Sequence, residues 1–155
     1  MRIGIGYDVH SLVQGRQLVL AGVNIPFDQG LSGHSDADVV THAIMDALLG
    51  AAGLRDIGIQ FPPADQRYKD ISSLVLLSDV KLLVESKGFK ICNIDATIAS
   101  ESPKLTPFIE EMRLKISQTL AIETEQVMVK ATTTDGLGFV GKGEGIAAYA
   151  VALLE

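Results

Sequence analysis

Three histidines and their acidic neighbours are the residues of this chain best suited to chemistry. Asp8 and His10 lie two apart in GYDVH at 6–10, while His34 and His42 fall in GHSDADVVTHAIMDALLG at 33–50. Imidazole nitrogens and carboxylate oxygens are the ordinary ligands of zinc, and a catalytic zinc keeps a fourth position open. Asp8, His10 and His42 supply three such ligands if the strand bearing the first two packs on the helix bearing the third. Asp38 or Asp46 then stands where it can hold a ligand's second ring nitrogen. The same letters also describe a capped strand end and a satisfied core histidine, so spacing alone leaves both readings open.

A second constellation is ATTTDGLGFVGKGEG at 131–145. Threonine hydroxyls and the N–H groups of a glycine-loosened loop suit phosphate oxygens. Asp135 suits magnesium and Lys142 a negative group. The spacing is not that of a P-loop, and a glycine-rich hairpin with β-favouring threonines accounts for the same residues. A third stretch, SESPKLT at 100–106, joins a strand to a helix. Lys104 opposes the helix dipole there, and locally it reads as a solvated side chain. Asp56, Ile57, Gly58 and Phe61 read locally as a turn acid and a packed aromatic.

The elements that must position these residues follow from periodicity. Residues 2–10 alternate, with Ile3, Ile5, Tyr7 and Val9 on one face and Gly4, Gly6, Asp8 and His10 on the other. Short strands are expected at 18–21 and 23–25, then a turn-rich loop at 27–35. Ser35 or Asp36 is expected to cap a helix closed by Gly50 or Gly53, with Val39, Val40, Ala43, Ile44, Ala47 and Leu48 inward. Residues 54–69 read as a loop. Asp70 is expected to cap a helix to about Lys87, followed by Gly88. A strand at 89–99 follows, then a helix capped by Thr106 with Pro107 at its first position. Strands at 127–133 and 146–154 complete the chain, the last apolar enough to be buried on both faces. The pattern predicts an α+β domain over 1–155: a single layer of mixed sheet with about three main helices on one face.

Composition bounds the function. Apolar residues make up 47% and charged residues 21% of the 155 residues, and the net charge is −6. That balance excludes a basic nucleic-acid footprint but not a phosphorylated substrate held by a few placed cations. No apolar run reaches the ~20 residues of a membrane span. The lone Cys92 excludes an internal disulfide, and no basic-then-apolar leader precedes the first strand, so a soluble, cytoplasmic protein is expected.

Taken together, GYDVH, HSDADV, HAIMDALLGA, DIG, PK and ATTTDGLGFVGKGEGIA resemble, in order and end to end, the 2-C-methyl-D-erythritol 2,4-cyclodiphosphate synthases of the non-mevalonate isoprenoid pathway. The resemblance implies that 4-diphosphocytidyl-2-C-methyl-D-erythritol 2-phosphate is converted to the cyclic diphosphate with release of CMP. It implies zinc, or another divalent transition metal, at Asp8, His10 and His42, and magnesium or manganese at Asp135. His34 and Ser35 would meet the methylerythritol phosphate, surrounded by Asp56, Ile57, Gly58 and Phe61. Ser100, Pro103, Lys104, Leu105, Thr106 and Ala131 would form the cytidine pocket. Thr132, Thr133, Thr134 and Asp135 would hold the diphosphate, with His34 and Thr133 as catalytic donors. The family is a homotrimer with sites between subunits, and Phe139 and Lys142 would lie near an axial cavity able to take an isoprenoid phosphate.

This sequence departs from the family pattern at three positions. Asp135 replaces a glutamate and reaches about one methylene less far. Pro63 stands where an acid is expected, with Asp65 as the candidate substitute. Lys142 replaces an arginine and loses bidentate phosphate geometry. Two other functions fit the same residues: a CDP-type pyrophosphohydrolase in which water attacks, and a non-catalytic trimer that binds isoprenoid phosphates.

Overall fold

The computed structural model describes residues 1–155. β1 (Arg2–Gln14) and β7 (Gly145–Leu154) are the long strands, paired antiparallel from Arg2↔Leu154 to Ser11↔Gly145. β5 (Ile91–Ala99) lies antiparallel on the other side of β7, and β6 (Val127–Thr132) runs parallel to β5. With β4 (Gln29–Leu31), the sheet has the order β4-β1-β7-β5-β6. β2 (Leu18–Leu20) and β3 (Val23–Ile25) form a separate hairpin.

Three long helices cover one face: α1 (Val39–Ala52), α3 (Ser73–Ser86) and α4 (Ile109–Leu120). The short α2 (Ile57–Gln60) and α5 (Gly138–Gly141) lie in connections. α1 packs against β1, β7 and β5 and also against α3, so it is enclosed on both sides. All six of its expected apolar positions are fully buried, and Met45 and Leu49 join them. On α4 the apolar spacing predicts a stripe of Ile109, Met112, Ile116 and Leu120; the last three are fully buried and Ile109 is half-buried.

Gly4 and Gly6 set how closely α1 approaches the sheet. A Cβ on Gly4 would lie 2.0 Å from the Ala47 carbonyl oxygen, and one on Gly6 would lie 1.9 Å from that of Ala43. No real side chain fits there, so glycine brings helix backbone onto strand backbone.

Several local expectations differ from the structure. α4 begins at Ile109 after Phe108, because Thr106 and Pro107 belong to a separate 3₁₀ turn (Thr106–Phe108) and Thr106 makes no capping bond. The expected 54–69 loop contains α2, capped by Asp56. α1 is capped by Asp38 rather than Ser35 or Asp36: its carboxylate accepts the Thr41 N–H and also the Ala21 and Gly22 N–H groups of the β2–β3 turn. α3 begins after Ser72, because Asp70 has φ 55, outside the helical region. β4 forms inside the expected 27–35 loop, where three residues gain a partner on β1. β7 is buried on one face only, since Tyr149 and Val151 emerge on the side away from the helices.

That open side is apolar over β1 and β7. Ile3 and Ile5 are each 73% exposed, with Tyr7, Val9, Tyr149 and Val151 beside them. On the β5–β6 half it turns polar, and Lys130 pairs there with Asp95.

Candidate metal centre and adjoining cavity

Alternation on β1 turns Asp8 and His10 toward α1, and the glycine contact lets the helix carry His42 to them. Asp8 Oδ2 lies 2.9 Å from His10 Nε2 and 2.9 Å from His42 Nδ1, and the two nitrogens are 3.2 Å apart. A tetrahedral zinc with ligands at about 2.0–2.1 Å requires ligand edges of about 3.3 Å. The triangle is slightly tighter than that and of the right shape.

The other ring nitrogens fix where the protons sit. His10 Nδ1 lies 2.6 Å from the Ser32 carbonyl oxygen, which can only accept, so Nδ1 carries the hydrogen. His42 Nε2 lies 3.0 Å from Ser73 Oγ, whose own hydrogen goes to Asp36. His42 Nε2 is therefore also a donor. Two nitrogen lone pairs and a carboxylate oxygen then face one another, an arrangement that a cation satisfies. The donor set fits a divalent transition metal.

Without a cation, protons on the facing nitrogens take its place. Burial pushes the Asp8 carboxyl up, but hydrogen bonds from His10 and His42 and their charge outweigh it and hold Asp8 well below the usual carboxylate range. Burial lowers His10, yet the bond to Asp8 and its charge raise the ring above its ordinary value.

The expected partners of the ligand rings are corrected by the structure. Asp38 is fully buried and committed to its cap and the β2–β3 turn, while Asp46 accepts the Ile57 N–H at 2.8 Å. Burial raises both carboxyls. Ser32, Ser73 and Asp36 hold the rings instead. Ser73 comes from a helix start that carries no sequence signal pointing toward His42.

A cavity of about 230 Å³ opens beside the triangle. It is lined by Asp8, His10, His34, Ser35 and His42 on its polar side. Ile57, Gly58, Phe61 and Pro63 form the far wall. Asp56 is turned away and caps α2 through the Ile59 N–H at 3.0 Å. His34 Nε2 meets the Asp65 carbonyl oxygen at 3.3 Å. The Asp65 carboxylate is not brought into this cavity; its Oδ2 accepts from Arg67 Nε at 2.9 Å and from Arg67 Nη2 at 2.6 Å.

The remaining residues gather elsewhere. Ser100, Pro103, Lys104, Leu105 and Thr106 line a second cavity, of about 300 Å³, with Ala131, Thr132 and Thr133. Thr133 Oγ1 reaches Asp135 Oδ1 at 3.4 Å, and the Thr134 N–H is held by Glu101. Asp135 has φ 53. Lys142 faces a third cavity with Gln29 and Glu101, and Phe139 lies exposed near Gly145.

The register relates the two main cavities. Val9, Ala147, Ala99 and Thr132 form one row across the sheet. Three strand spacings therefore separate the His10 end of β1 from the Thr132 end of β6, roughly 14 Å.

A mixed sheet covered on one face by helices, with an Asp-His-His triangle where β1 meets α1, defines an α+β domain with a candidate metal centre. This chain belongs to the YgbB family, whose pattern matches residues 1–155. The 2-C-methyl-D-erythritol 2,4-cyclodiphosphate synthase of Pelotomaculum thermopropionicum is 62% identical over 155 residues, 100% of this chain and 96% of that one. A solved 2C-methyl-D-erythritol-2,4-cyclodiphosphate synthase in its CDP-bound form superposes with a TM-score of 0.91 at 36% identity, covering 99% of this chain and 100% of that one. The bifunctional IspDF of Campylobacter jejuni gives a TM-score of 0.95 at 43% identity, covering 99% of this chain, which spans 42% of that longer one.

Proposed function

We propose that this protein converts 4-diphosphocytidyl-2-C-methyl-D-erythritol 2-phosphate to 2-C-methyl-D-erythritol 2,4-cyclodiphosphate, releasing CMP. The observation that carries this reading is the triangle of Asp8, His10 and His42 opening on a polar cavity, in a chain of the YgbB family. An oxygen of the 2-phosphate attacks the far phosphorus of the diphosphate. A new P–O–P linkage closes the ring as the bond to the cytidine phosphate breaks, and CMP leaves with that electron pair.

The obstacle is repulsion between two anionic phosphates. A divalent transition metal at Asp8, His10 and His42, with magnesium or manganese at Asp135, supplies Lewis-acid neutralisation. Asp135 alone is an incomplete magnesium site, and phosphate oxygens complete such sites. Ser35 and the Ile57–Gly58 wall hold the methylerythritol end. His34 donates to the 2-phosphate, and Thr133 donates to the charge that develops on the diphosphate. Lys104, with Ser100, Pro103, Leu105, Thr106 and Ala131, holds the cytidine end. Holding both phosphates in line removes the entropy cost of bringing them together.

The site is completed between subunits. Within one chain the metal centre and the threonine cluster stand roughly 14 Å apart, too far for one diphosphate to touch both. The apolar half of the open sheet face supplies the surface on which copies join as a homotrimer. Phe139 and Lys142 then lie near its axis, where Lys142 can meet an isoprenoid phosphate. The protein works as one domain over 1–155 in the cytoplasm. No helix is long and apolar enough to cross a membrane.

Phosphorus NMR of the product tests the chemistry. A ring diphosphate with stoichiometric CMP is expected, and His42→Ala is expected to abolish its formation while keeping the fold. Two open phosphates would establish water as the attacking group. Failure to release CMP with zinc bound and substrate saturating would make the protein a binding trimer.

A further inference from the structure

We infer that Asp36 and Ser73 are positioning residues that fix the tautomer of His42 and thereby present its Nδ1 lone pair to the metal. The inference rests on the metal reading of Asp8, His10 and His42. Ser73 opens α3 and is fully buried, with its hydroxyl 3.0 Å from His42 Nε2. A serine hydroxyl can donate or accept, so Ser73 alone would tolerate either imidazole tautomer. Asp36 removes that freedom.

Asp36 Oδ1 lies 2.5 Å from Ser73 Oγ, and Oδ2 accepts the Ser73 N–H at 2.9 Å. Oδ1 also faces the Asp38 N–H at 3.2 Å. A carboxylate has no proton to give, so the Ser73 hydroxyl must donate to it. Ser73 Oγ is left as an acceptor for His42, whose hydrogen must then sit on Nε2. The Ser35 hydroxyl, 3.3 Å from the same nitrogen, has no such carboxylate behind it and cannot set the tautomer. Its hydroxyl stays available to the cavity that Ser35 lines.

The relay joins three elements. Asp36 belongs to the turn before α1, Ser73 to the first turn of α3, and His42 to α1. An asparagine at 36 would set an N–H₂ group against groups that all present hydrogens to the native carboxylate. With its oxygen retained by the Ser73 N–H, the amide would donate to Ser73 Oγ. The serine proton would then turn toward His42 Nε2 and favour hydrogen on Nδ1, where the metal must bind.

The test is a double-mutant cycle on zinc affinity, using zinc alone against a competing chelator. Thermal unfolding of the metal-free proteins reports the fold. Ser73→Ala and Asp36→Asn are each expected to weaken zinc binding about 10–100-fold. The double variant should bind no more weakly than the worse single, because Asp36 acts through Ser73. In the zinc-loaded parent, a ¹⁵N-histidine spectrum should show a His42 Nε2–H protected from exchange, and Ser73→Ala should lose that protection. Two folded single variants that bind zinc like the parent would overturn the relay, as would losses that multiply in the double variant. If Ser73→Ala does not fold, the parent-like affinity of a folded Asp36→Asn would overturn it alone. A parent that binds no zinc would overturn the metal reading and the relay together.

Discussion

Gly6 sits against Ala43 so closely that a Cβ added to it would fall 1.9 Å from the Ala43 carbonyl oxygen. One residue after His42 on α1, this contact sets the separation of the helix from the strand that holds Asp8 and His10. Gly6→Ala should therefore act on the centre as well as on the fold. Overpacking costs about 1–3 kcal/mol, and a backbone obstacle puts this change at the upper end. A thermal melt should show the loss, and zinc titration should show weakened binding as His42 is pushed from its partners. A variant as stable as the parent, with parental zinc affinity, would mean that the helix yields without moving the ligand.

The register across β1, β7, β5 and β6 makes a prediction about subunits. His42→Ala and Thr133→Ala should each be inactive or nearly so, the second by roughly 10²–10³-fold. Co-refolded in equal amounts, they should regain about a quarter of the parent activity, because random mixing pairs an intact His42 with a neighbour's intact Thr133 at that frequency. A site contained within one chain would recover nothing.

The alternation of β1 also predicts assembly behaviour. Ile5 points away from the helices and is 73% exposed, opposite Val151 on β7. Ile5→Asp should leave the helix-side core intact and yield smaller particles by light scattering. Activity should fall with assembly, as expected of a site shared between two chains. An unchanged particle mass would place the subunit contact elsewhere.

Acid should weaken the metal centre before it unfolds the protein. In the metal-free protein, His10 is raised above its ordinary value of 6.5 by Asp8, against the effect of burial. Its stabilising contribution is complete below 6.5 and fades as pH climbs through the elevated value. Asp8 is lowered from 3.8 and contributes above that value, fading as pH falls toward its depressed one. The pair thus stabilises the metal-free fold most between these limits. A metal requires the unprotonated ring, so zinc affinity should run the other way. It should drop about tenfold per pH unit below the elevated His10 value, as one proton competes. Chelator competition across pH checks this, and a flat profile would show that His10 is not a ligand.

Much of the centre was legible in the letters because it rests on short-range periodicity. Period two puts Asp8 and His10 on the glycine side of β1, and helical spacing puts His42 on an apolar helix that must face the sheet. The caps were not legible. Asp36 has the chemistry of a cap, yet Ser73, far along the chain, recruits it, and Asp38 takes the helix end together with the β2–β3 turn. Ser73 itself shows nothing in sequence beyond a polar helix start. β4 is too short for an alternation to register, and its strand character comes from its neighbour on β1. Asp65 read as a replacement for a missing acid because Arg67 was not seen as its partner.

β1 and β7 are neighbours in the sheet although they lie at opposite ends of the sequence, with His10 beside Ile146. Closing so long a loop is slow and entropically costly, and its contacts form late. A chain still emerging during synthesis therefore has its first two ligands early but lacks the strand that aligns them. The two candidate ligands of β1 are thus held in register by a strand from the far half of the sequence that contributes no ligand itself.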